Sequence, residues 1–299
     1  MQYTLKQLGY LVAVAQYGNI SVAARHLFIS QPALSTAIAQ LESSLGVPLL
    51  IRHHARGVSV TPAGRKFLTR ARSLLSHANE LELLGRELGD SVRGQLIVGC
   101  FVTLAPFFLP RLLKELQRSH PQLHVHLAEG ALDQVQAALL AGETEISLVY
   151  DIDLDRQLAT EELTRVRPHV LVAPNHHLAT HSTVSLSALA TEPMILLDLP
   201  HSRDYFRSLF FNAGVEPVIR HRTQSFELVR GLVGQGHGYS VLNLQPHSNR
   251  TYDGGRVIYI PIEDPTTDLA IAIARPRGLQ LTHRAEAFSA VCRRFFVDG

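Results

Sequence analysis

The chain has 299 residues, of which 46% are hydrophobic and 18% charged, a composition that excludes a disordered chain and allows two or three globular domains. The net charge of +2 excludes a uniformly acidic or basic protein, but the charge is unevenly placed. Residues 1–66 contain six Lys or Arg side chains against one Glu, a charge of +5, so the remainder carries −3. A polyanionic partner is therefore expected at the N-terminal end.

The N-terminal segment is amphipathic and has no small-residue cleavage site, and no run of 18 apolar residues occurs. We therefore expect no signal peptide and no membrane span, and a location in the bacterial cytoplasm. Cys100 and Cys292 are far apart in the sequence and provide no disulfide framework. A buried, unreactive thiol is favoured over a redox sensor for Cys100.

The chain begins with a predicted helix from Leu5 to Tyr17, which Gly18 ends. A second helix is expected after Ser21 and a third after Ser30, because a serine hydroxyl can cap the first free N–H groups of a helix. Pro32 fits the first turn of the third helix, where its missing N–H needs no partner. Two short helices joined by a tight turn are thus predicted between Gly18 and residue 46.

The predicted third helix has two different faces. Its apolar stripe consists of Leu34, Ile38, Leu41 and Leu45. Off that stripe lie short amide and hydroxyl side chains, namely Gln31, Ser35 and Thr36. A helix with a buried back and a short polar front suits the major groove of DNA, and the alternative is an ordinary helical hairpin with solvated polar residues.

A small hairpin is predicted next, with strands at Leu49–Ile51 and Val58–Thr61 and a permissive Gly57 near the turn. Its tip is basic and would lie against phosphates or in the minor groove, with a solvated loop as the alternative. The tip residues are Arg52, His53, His54 and Arg56. The two adjacent histidines have no Cys or carboxylate at a useful spacing, and we predict no metal site in the chain.

Taken together, these residues resemble the N-terminal domain of LysR-type transcriptional regulators. The resemblance covers about the first 65 residues and rests on Ala23-Ala24, Leu27, the run from Ser30 to Ser35, Leu41-Glu42, Leu45-Gly46, Arg52 and the run Thr61-Pro62-Ala63-Gly64. It implies a mainly α winged helix-turn-helix domain over residues 1–62. The side chains expected at DNA are Ser21, Ser30, Gln31, Pro32, Ser35, Thr36, Arg52 and Arg56.

Thr61 is predicted to cap a long linker helix, which occupies residues 63–92. Its apolar positions recur at steps of three and four: Phe67, Ala71, Leu74, Leu75, Ala78, Leu81, Leu84 and Leu88. Such a face favours pairing with a second helix over burial in its own domain. The resemblance implies that this helix pairs with its counterpart in a homodimer, which can assemble further into a tetramer.

From residue 93 the pattern alternates between strands and helices, which predicts a mostly parallel sheet with helices on its faces. Strands are expected at Leu96–Cys100, Val125–Glu129, Ile146–Tyr150, His169–Ala173, Met194–Leu197, Val218–Arg222, Tyr239–Asn243 and Leu269–Ala274. Helices are expected at Pro106–Ser119, Leu132–Ala141, Arg203–Ala213, Phe226–Val233 and Thr282–Val297.

The resemblance implies a periplasmic-binding-protein-like α/β effector domain over residues 93–299. Its first subdomain would comprise about 93–163 and 269–299, and its second about 164–268. The two would be joined by crossovers near Glu162–Arg167 and Pro265–Leu269.

Ligands of open α/β sheets bind at the carboxyl ends of strands and at helix N-termini. Three stretches satisfy this rule, and they contain Phe101, Val102, Thr103, His201, Ser202, Arg203, Ser225 and Phe226. Together they suit a small organic anion, with Arg203 on its carboxylate. The alternative is that Ser202 and Ser225 only cap helices and that Arg203 makes a surface ion pair.

We therefore expect a LysR-type DNA-binding regulator that is controlled by a small effector of unspecified identity. Its expected partners are double-stranded DNA, the effector, a second copy of this chain and RNA polymerase, with no membrane and no cofactor. A solute-binding or ligand-sensing protein without a direct role at DNA is the alternative. An enzyme is disfavoured, because no nucleophile elbow, phosphate loop or carboxylate pair is recognisable.

Overall fold

The computed structural model describes residues 3–53, 57–86 and 92–298, without the side chains of residues 82–86 and 298. His54 and Arg56 of the predicted hairpin tip lie outside the described residues. So do Leu88 and the side chain of Leu84 on the predicted linker face.

The N-terminal domain, here called the reader, comprises residues 3–61. Its elements are α1 (Leu5–Tyr17), α2 (Ile20–His26), α3 (Gln31–Leu45), β1 (Leu50–His53) and β2 (Gly57–Val60). The predicted bounds of α1 and the cap at Ser30 are confirmed. The cap predicted at Ser21 is wrong: Asn19 caps α2 by accepting the Val22 N–H at 3.1 Å, and Ser21 lies exposed inside the helix.

The apolar faces of the reader's helices meet in one core, to which α3 contributes the buried Leu34, Ile38 and Leu41. The Glu42 carboxylate accepts the N–H groups of Leu49 and Leu50 at 2.7 and 2.9 Å, which ties the start of the hairpin to α3. The antiparallel hairpin is confirmed, with β1 and β2 paired from Leu50↔Val60 to His53↔Gly57.

Gly57 is required by its close contact with the end of α1. Its φ is +84°, and a Cβ built there would lie 2.3 Å from the carbonyl oxygen of Gly18. The next residue, Val58, donates its N–H to that same oxygen at 2.8 Å. Any larger residue would therefore break the attachment of the hairpin to α1.

Helix α4 (Pro62–Arg86) leaves the reader as the predicted linker. Thr61 caps it as predicted, since its hydroxyl accepts the Gly64 N–H at 2.8 Å. The helix has 25 residues, and neither it nor any other described helix is long and apolar enough to cross a membrane. Ala71 is buried in the reader core, whereas Leu74 and Leu81 are 44% and 71% exposed, so only part of the predicted apolar face is used within the chain.

The first subdomain of the C-terminal half is a five-stranded sheet in the order β4-β3-β5-β12-β6, with helices packed against it. Its strands are β3 (Gly94–Phe101), β4 (Leu123–Gly130), β5 (Ile146–Tyr150), β6 (Leu158–Val166) and β12 (Leu269–Pro276). Its helices are α5 (Ala105–Ser119), α6 (Leu132–Ala141) and α9 (His283–Asp298).

The second subdomain has one antiparallel sheet in the order β10-β7-β11 and one parallel pair, β8-β9. Its strands are β7 (His169–Val172), β8 (Pro193–Leu197), β9 (Val218–Thr223), β10 (Ser240–Leu242) and β11 (Ile258–Pro261). Its helices are α7 (Ser202–Asn212), α8 (Phe226–Gly234) and a short 3₁₀ helix at Leu186–Leu189.

The expectation of a mostly parallel sheet holds for the first subdomain and is wrong for the second. In the five-stranded sheet β4, β3, β5 and β6 run in the same direction, and β12 runs opposite to them, antiparallel to its neighbours β5 and β6. In the second subdomain β10 and β11 both pair antiparallel with β7, while β8 and β9 are parallel. Strands β6 and β11 were missed, and the crossover predicted at Glu162–Arg167 is mostly strand β6. The chain instead passes between subdomains at 167–168 and 262–268. The return of β12 and α9 to the first subdomain is as the resemblance implied.

The linker helix also packs against the first subdomain, at a contact here called the joint. Arg284 at the start of α9 is buried, donates to the Ser76 hydroxyl at 2.7 Å and lies 3.5 and 3.8 Å from the carboxylates of Glu80 and Glu145. Arg72 of α4 donates to the carbonyl of Ala141, and burial lowers its pKa. Charged side chains of α4 are thus enclosed by the effector domain of the same chain.

Candidate functional site

One candidate surface is the N-terminal end of α3. Gln31, Pro32 and Thr36 are exposed there, and Ser35 is half-buried. The Ser30 hydroxyl accepts the Ala33 N–H at 3.3 Å, which fixes the direction in which the helix begins. A helix that offers exposed amide, hydroxyl and pyrrolidine groups at its positive end can meet both base edges and phosphates.

Phe28 belongs to this surface but was not predicted. It lies in the turn between α2 and α3, is 95% exposed and has a φ of +55°. Because an apolar side chain in a turn is normally expected to be buried, the hydropathy of the sequence did not indicate that Phe28 would be exposed at this surface. Its ring is available to sugar or thymine-methyl groups next to the α3 face.

The hairpin adds positive charge to the same end of the molecule. Arg52 is exposed on β1, and the neighbouring His53 has its Nε2 2.8 Å from the Ser59 hydroxyl. Arg56 lies outside the described residues, so its role at the tip stays a prediction. An exposed guanidinium such as that of Arg52 can contact a phosphate, and this contact stays a prediction.

The second candidate site is a cavity between the two C-terminal subdomains. Its volume is about 10 Å³, roughly that of one water-sized probe. It is lined by Thr103, Tyr150, Leu197, Ser202, Phe206, Phe226, Leu242, Asn243 and Leu244. Three of the eight predicted effector residues therefore line it: Thr103, Ser202 and Phe226.

Tyr150 and Asn243 are polar members of this lining that the sequence reasoning missed. Both are buried, and burial raises the pKa of Tyr150 despite a hydrogen bond with Thr103. The Oδ1 atom of Asn243 has no hydrogen-bond partner in the described structure. Tyr150 ends β5 and Asn243 follows β10, so the rule that ligands bind at strand carboxyl ends would have found them.

Two helices begin next to this cavity without a side-chain cap. The residues before α5 and α7 are Leu104 and His201, and neither makes a side-chain hydrogen bond to the helix. The third helix, α8, is capped by Ser225, which accepts the Leu228 N–H at 3.3 Å. Backbone carbonyls accept some of these first N–H groups, since Ser202 and Arg203 donate to Pro200 and Leu199, and Phe107 donates to Leu104. The positive end of each helix dipole still favours a negatively charged or strongly polar ligand group.

The remaining predicted effector residues lie around the cavity and not in its lining. Phe101 is buried and packs edge-on against Tyr150, with ring centroids 5.5 Å apart, and Val102 donates its N–H to the carbonyl of Gly130. His201, with a φ of +65°, places its Nδ1 3.6 Å from Asp153 of the first subdomain. This contact bridges the two subdomains.

Arg203, which was assigned to an effector carboxylate, lies outside the lining of the cavity. Its Nε donates to Asp204 at 3.1 Å, and its Nη1 lies 3.5 Å from Asp198. These contacts match the surface ion pair that was the alternative for Arg203. Ser225 is likewise a helix cap, the alternative that was left open for it.

The two thiols are both fully buried. Burial raises the pKa of Cys100 well above its ordinary value and that of Cys292 to about 12. A thiol in this state holds almost no reactive thiolate near neutral pH. The expectation of an unreactive Cys100 therefore agrees with its surroundings.

Two family models match the chain over these same regions. Residues 5–65 match the bacterial regulatory helix-turn-helix protein, lysR family, and residues 89–297 match the LysR substrate binding domain. A curated relative, the hydrogen peroxide-inducible genes activator of Pectobacterium carotovorum subsp. carotovorum, is 30% identical over 291 residues, which are 97% of this chain and 95% of that protein.

Solved structures with similar sequences cover almost the whole chain. HinK, a LysR family transcriptional regulator from Pseudomonas aeruginosa, is 39% identical with a TM-score of 0.66, covering 98% of this chain and 99% of that one. A putative LysR family regulator from the same organism, the PA01 protein, is 38% identical with a TM-score of 0.67, covering 99% of both chains.

Proposed function

This chain belongs to the LysR family of DNA-binding transcriptional regulators, and from that premise we propose how its two sites divide the work. The exposed start of α3 reads bases in the major groove, and the hairpin holds the DNA backbone. The cavity between the C-terminal subdomains binds a small effector. The protein acts in the cytoplasm on DNA and has no catalytic step.

Gln31 is the residue we assign to direct base reading. It is exposed in the first turn of α3, and a glutamine amide can make paired hydrogen bonds to an adenine edge. Pro32, Ser35 and Thr36 supply apolar and hydroxyl contacts beside it. Ser30 already uses its hydroxyl in the cap, so its part is to orient the helix, and Ser21 lies on the exposed side of α2.

Arg52 supplies a phosphate contact, and Arg56 at the hairpin tip is proposed to do the same. Such contacts strengthen binding to all sequences and make it depend on salt.

The exposed Leu74 and Leu81 on α4 are proposed to pack against a second copy of the chain. Two readers would then face the two halves of an imperfect, A/T-rich palindrome. A tetramer and a contact with RNA polymerase remain expectations.

The observation that carries the effector proposal is the buried, unpaired Oδ1 of Asn243 in the cavity, close to two uncapped helix starts. An unpaired buried polar group destabilises the folded protein, so a ligand that forms a hydrogen bond with it gains binding free energy. The lining also provides three hydroxyls, from Thr103, Tyr150 and Ser202, and the Phe226 ring. We propose a small organic molecule with a carboxylate or similar polar head.

A cavity of about 10 Å³ is too small for such a molecule, so the subdomains must separate to admit it. The crossovers at 167–168 and 262–268 are the natural hinges, and the His201–Asp153 contact would open. Because α4 is held by the first subdomain at the joint, this motion can change the spacing of the two readers.

The name of the Pectobacterium relative suggests hydrogen peroxide as a second candidate signal. Thiol oxidation by peroxide requires an accessible thiolate. Both thiols of this chain are buried, and their pKa values are raised. The geometry therefore favours reversible ligand binding over thiol oxidation as the signal.

Base reading is tested with Gln31→Ala in the full chain. We expect specific affinity to fall about 5- to 150-fold, the loss of one paired base contact, with non-specific affinity nearly unchanged. Gln40→Ala is the matched control, because Gln40 is exposed on α3 and nine residues from Gln31, on the opposite side of the helix. Equal losses on specific and non-specific DNA would refute the assignment.

Effector binding is tested by thermal shift of the full chain with small carboxylates, amino acids and aromatic acids. A compound that raises the melting temperature of the parent should lose this effect in Ser202→Val, because Ser202 lines the cavity. Arg203→Ala serves as the control and should keep the shift. A shift that depends on Arg203 and not on Ser202 would move the site elsewhere.

A further inference from the structure

Three side chains with metal-binding donor atoms meet at one edge of the second subdomain. His176 and His177 lie in the turn that follows β7, and Glu192 is the residue before β8. One ligand atom of each lies within 4.8 Å of the others, and this is the one such group of three in the part of the chain that the structure describes. Sequence spacing does not reveal this group, because 15 residues separate Glu192 from His177.

Both imidazoles face the same carboxylate. His176 Nε2 lies 2.6 Å from Oε2 of Glu192, and His177 Nε2 lies 2.6 Å from Oε1. The two rings are stacked, with centroids 4.6 Å apart and planes 25° from parallel. Each nitrogen therefore approaches its own oxygen of one carboxylate, and the ligand atoms of the three side chains lie within 4.8 Å of one another.

Two of the three ligands are held by the fold and one is free to move. The side chains of His176 and Glu192 are 15% and 19% exposed, and that of His177 is 67% exposed. The turn is anchored by the buried Leu178 and by the bond from the His176 N–H to the carbonyl of Ala173 at 3.0 Å. A solvent cation can thus reach a half-formed site.

We propose that His176, His177 and Glu192 bind one Zn²⁺ ion, with water in the fourth position. Two imidazole nitrogens and one carboxylate oxygen are a donor set that zinc accepts, whereas Mg²⁺ and Ca²⁺ prefer oxygen ligands alone. Around a tetrahedral zinc ion, neighbouring ligand atoms lie about 3.3 Å apart. The nitrogen–oxygen distances of 2.6 Å must therefore widen by less than 1 Å, which rotation of the exposed His177 allows.

Zinc binding carries one identifiable cost. The Leu178 N–H donates to His176 Nδ1 at 3.2 Å, so the proton of a neutral His176 ring lies on Nε2 in the metal-free protein. Zinc takes the Nε2 lone pair, the ring proton moves to Nδ1, and the Leu178 bond is lost. We therefore expect binding in the micromolar range, weaker than at a dedicated structural zinc site.

The zinc would connect the turn after β7 to the start of β8. The other end of β8 leads to the 198–201 segment beside the cavity, roughly 17 Å further along the strand. This position separates the ion from the effector. Zinc should therefore stabilise the second subdomain with or without a compound in the cavity.

The test measures zinc binding by chelator-stripped full-length protein, in competition with a chromophoric zinc chelator. The variants are His177→Ala, which changes an exposed side chain, and Glu192→Gln, which keeps the shape and can still hydrogen-bond. His181→Ala is the matched control, because His181 is exposed four residues further along the same segment. Zinc bound at other histidines, including His53 and His54, is common to all four proteins.

We expect the parent and His181→Ala to bind one more equivalent of zinc than His177→Ala and Glu192→Gln, or to bind it at least 10-fold more tightly. Only the first two should show a zinc-dependent rise in melting temperature, followed by circular dichroism because the chain has no Trp. Equal zinc binding by all four proteins would overturn the proposal, and so would an equal rise with Mg²⁺. Circular dichroism spectra before zinc addition confirm that each variant is folded.

Discussion

The reader and the effector domain treat buried polar groups in opposite ways. In the reader, Thr4, Asn19 and Ser30 cap the three helices, and Thr61 caps the helix that leaves it. The buried side-chain atoms that lack a hydrogen-bond partner among the described residues all lie outside it, at Glu80, His169, His221, Tyr239, Asn243, Arg284 and Ser289. Two helices at the cavity also begin without a cap.

This difference indicates two kinds of binding surface. In the reader, side chains of the domain itself accept the free N–H groups at the helix starts. The short side chains on α3 therefore project from a fixed framework, and the surface for DNA is preformed. The cleft leaves the buried acceptor Oδ1 of Asn243 unpaired, and such an atom costs stability until a ligand or a motion pairs it. A regulator needs both, since recognition must be constant while the signal changes.

The largest effect on stability is expected at the joint, for the variant Arg284→Met. The guanidinium is 4% exposed, and its removal leaves Glu80 and Glu145 enclosed without a counter-charge. We expect a loss of about 3–5 kcal/mol in the free energy of unfolding, measured by urea denaturation. On the same helix, Arg293→Met breaks exposed pairs with Glu161 and Glu286 and should cost less than about 1 kcal/mol.

Equal losses in the two arginine variants would show that the joint is not an enclosed ionic contact in solution. DNA affinity adds a second measurement. If the joint transmits the position of the effector domain, Arg284→Met should change the response of DNA binding to an effector, whereas Arg293→Met should not.

The reader could be predicted largely from the sequence because its signals are local. The range Leu5–Tyr17, the Ser30 cap and the Thr61 cap depend on residues within one helical turn of the feature they explain. The one cap of the reader that was predicted wrongly is that of α2. It is Asn19 and not Ser21, because asparagine caps a helix as well as serine does and comes two residues earlier.

The cleft was predicted less well because its parts are distant in sequence. Thr103 and Ser202 follow strand ends and line the cavity as predicted. Tyr150 and Asn243 also lie at strand ends, but the rule does not say which strand ends face each other across the two subdomains. Arg203 had the right chemistry, yet its nearest carboxylates, Asp198 and Asp204, neutralise it locally. The mixed direction of the first sheet likewise depends on β12 returning from the far end of the chain.

A second test uses acid. Burial lowers the pKa of His169 to about 4, and its Nε2 has no partner among the described residues. The unfolded imidazole titrates near 6.5, so this group's contribution is complete above about pH 6.5 and is lost as the pH falls to about 4. We expect the loss to reach up to about 3 kcal/mol, measured by urea unfolding at both ends of that range.

His169→Phe should flatten this pH dependence, because phenylalanine keeps the edge-on contact with Tyr259 and cannot take up a proton. His181→Ala, which alters an exposed imidazole, should leave the dependence as in the parent. A His169→Phe protein that loses as much stability in acid as the parent would show that His169 is not the group responsible.

A third test compares two buried polar side chains, Ser240 at the start of β10 and Asn243 directly after its end. Ser240 donates its hydroxyl to the carbonyl of Ile195 at 2.6 Å, whereas Asn243 Oδ1 is unpaired. Ser240→Ala should cost about 1–2 kcal/mol, and Asn243→Leu should be neutral or slightly stabilising. Asn243→Leu should also abolish the thermal shift caused by an effector. A destabilised Asn243→Leu protein that still responds would remove Asn243 from the site.

The smallest expected effect is in the reader, where Thr61→Ala removes both the cap of α4 and the bond from the Thr61 hydroxyl to the carbonyl of Pro48. We expect a loss of about 1 kcal/mol in the free energy of unfolding, because one helix N–H loses its partner at a half-exposed position. Thr36→Ala is the control: it is exposed on α3 and should change stability by less than about 0.5 kcal/mol while weakening specific DNA binding. If Thr61→Ala instead weakened DNA binding with stability unchanged, the DNA-binding surface of the reader would depend on how α4 begins. The caps within the reader would then not be sufficient to hold that surface in place.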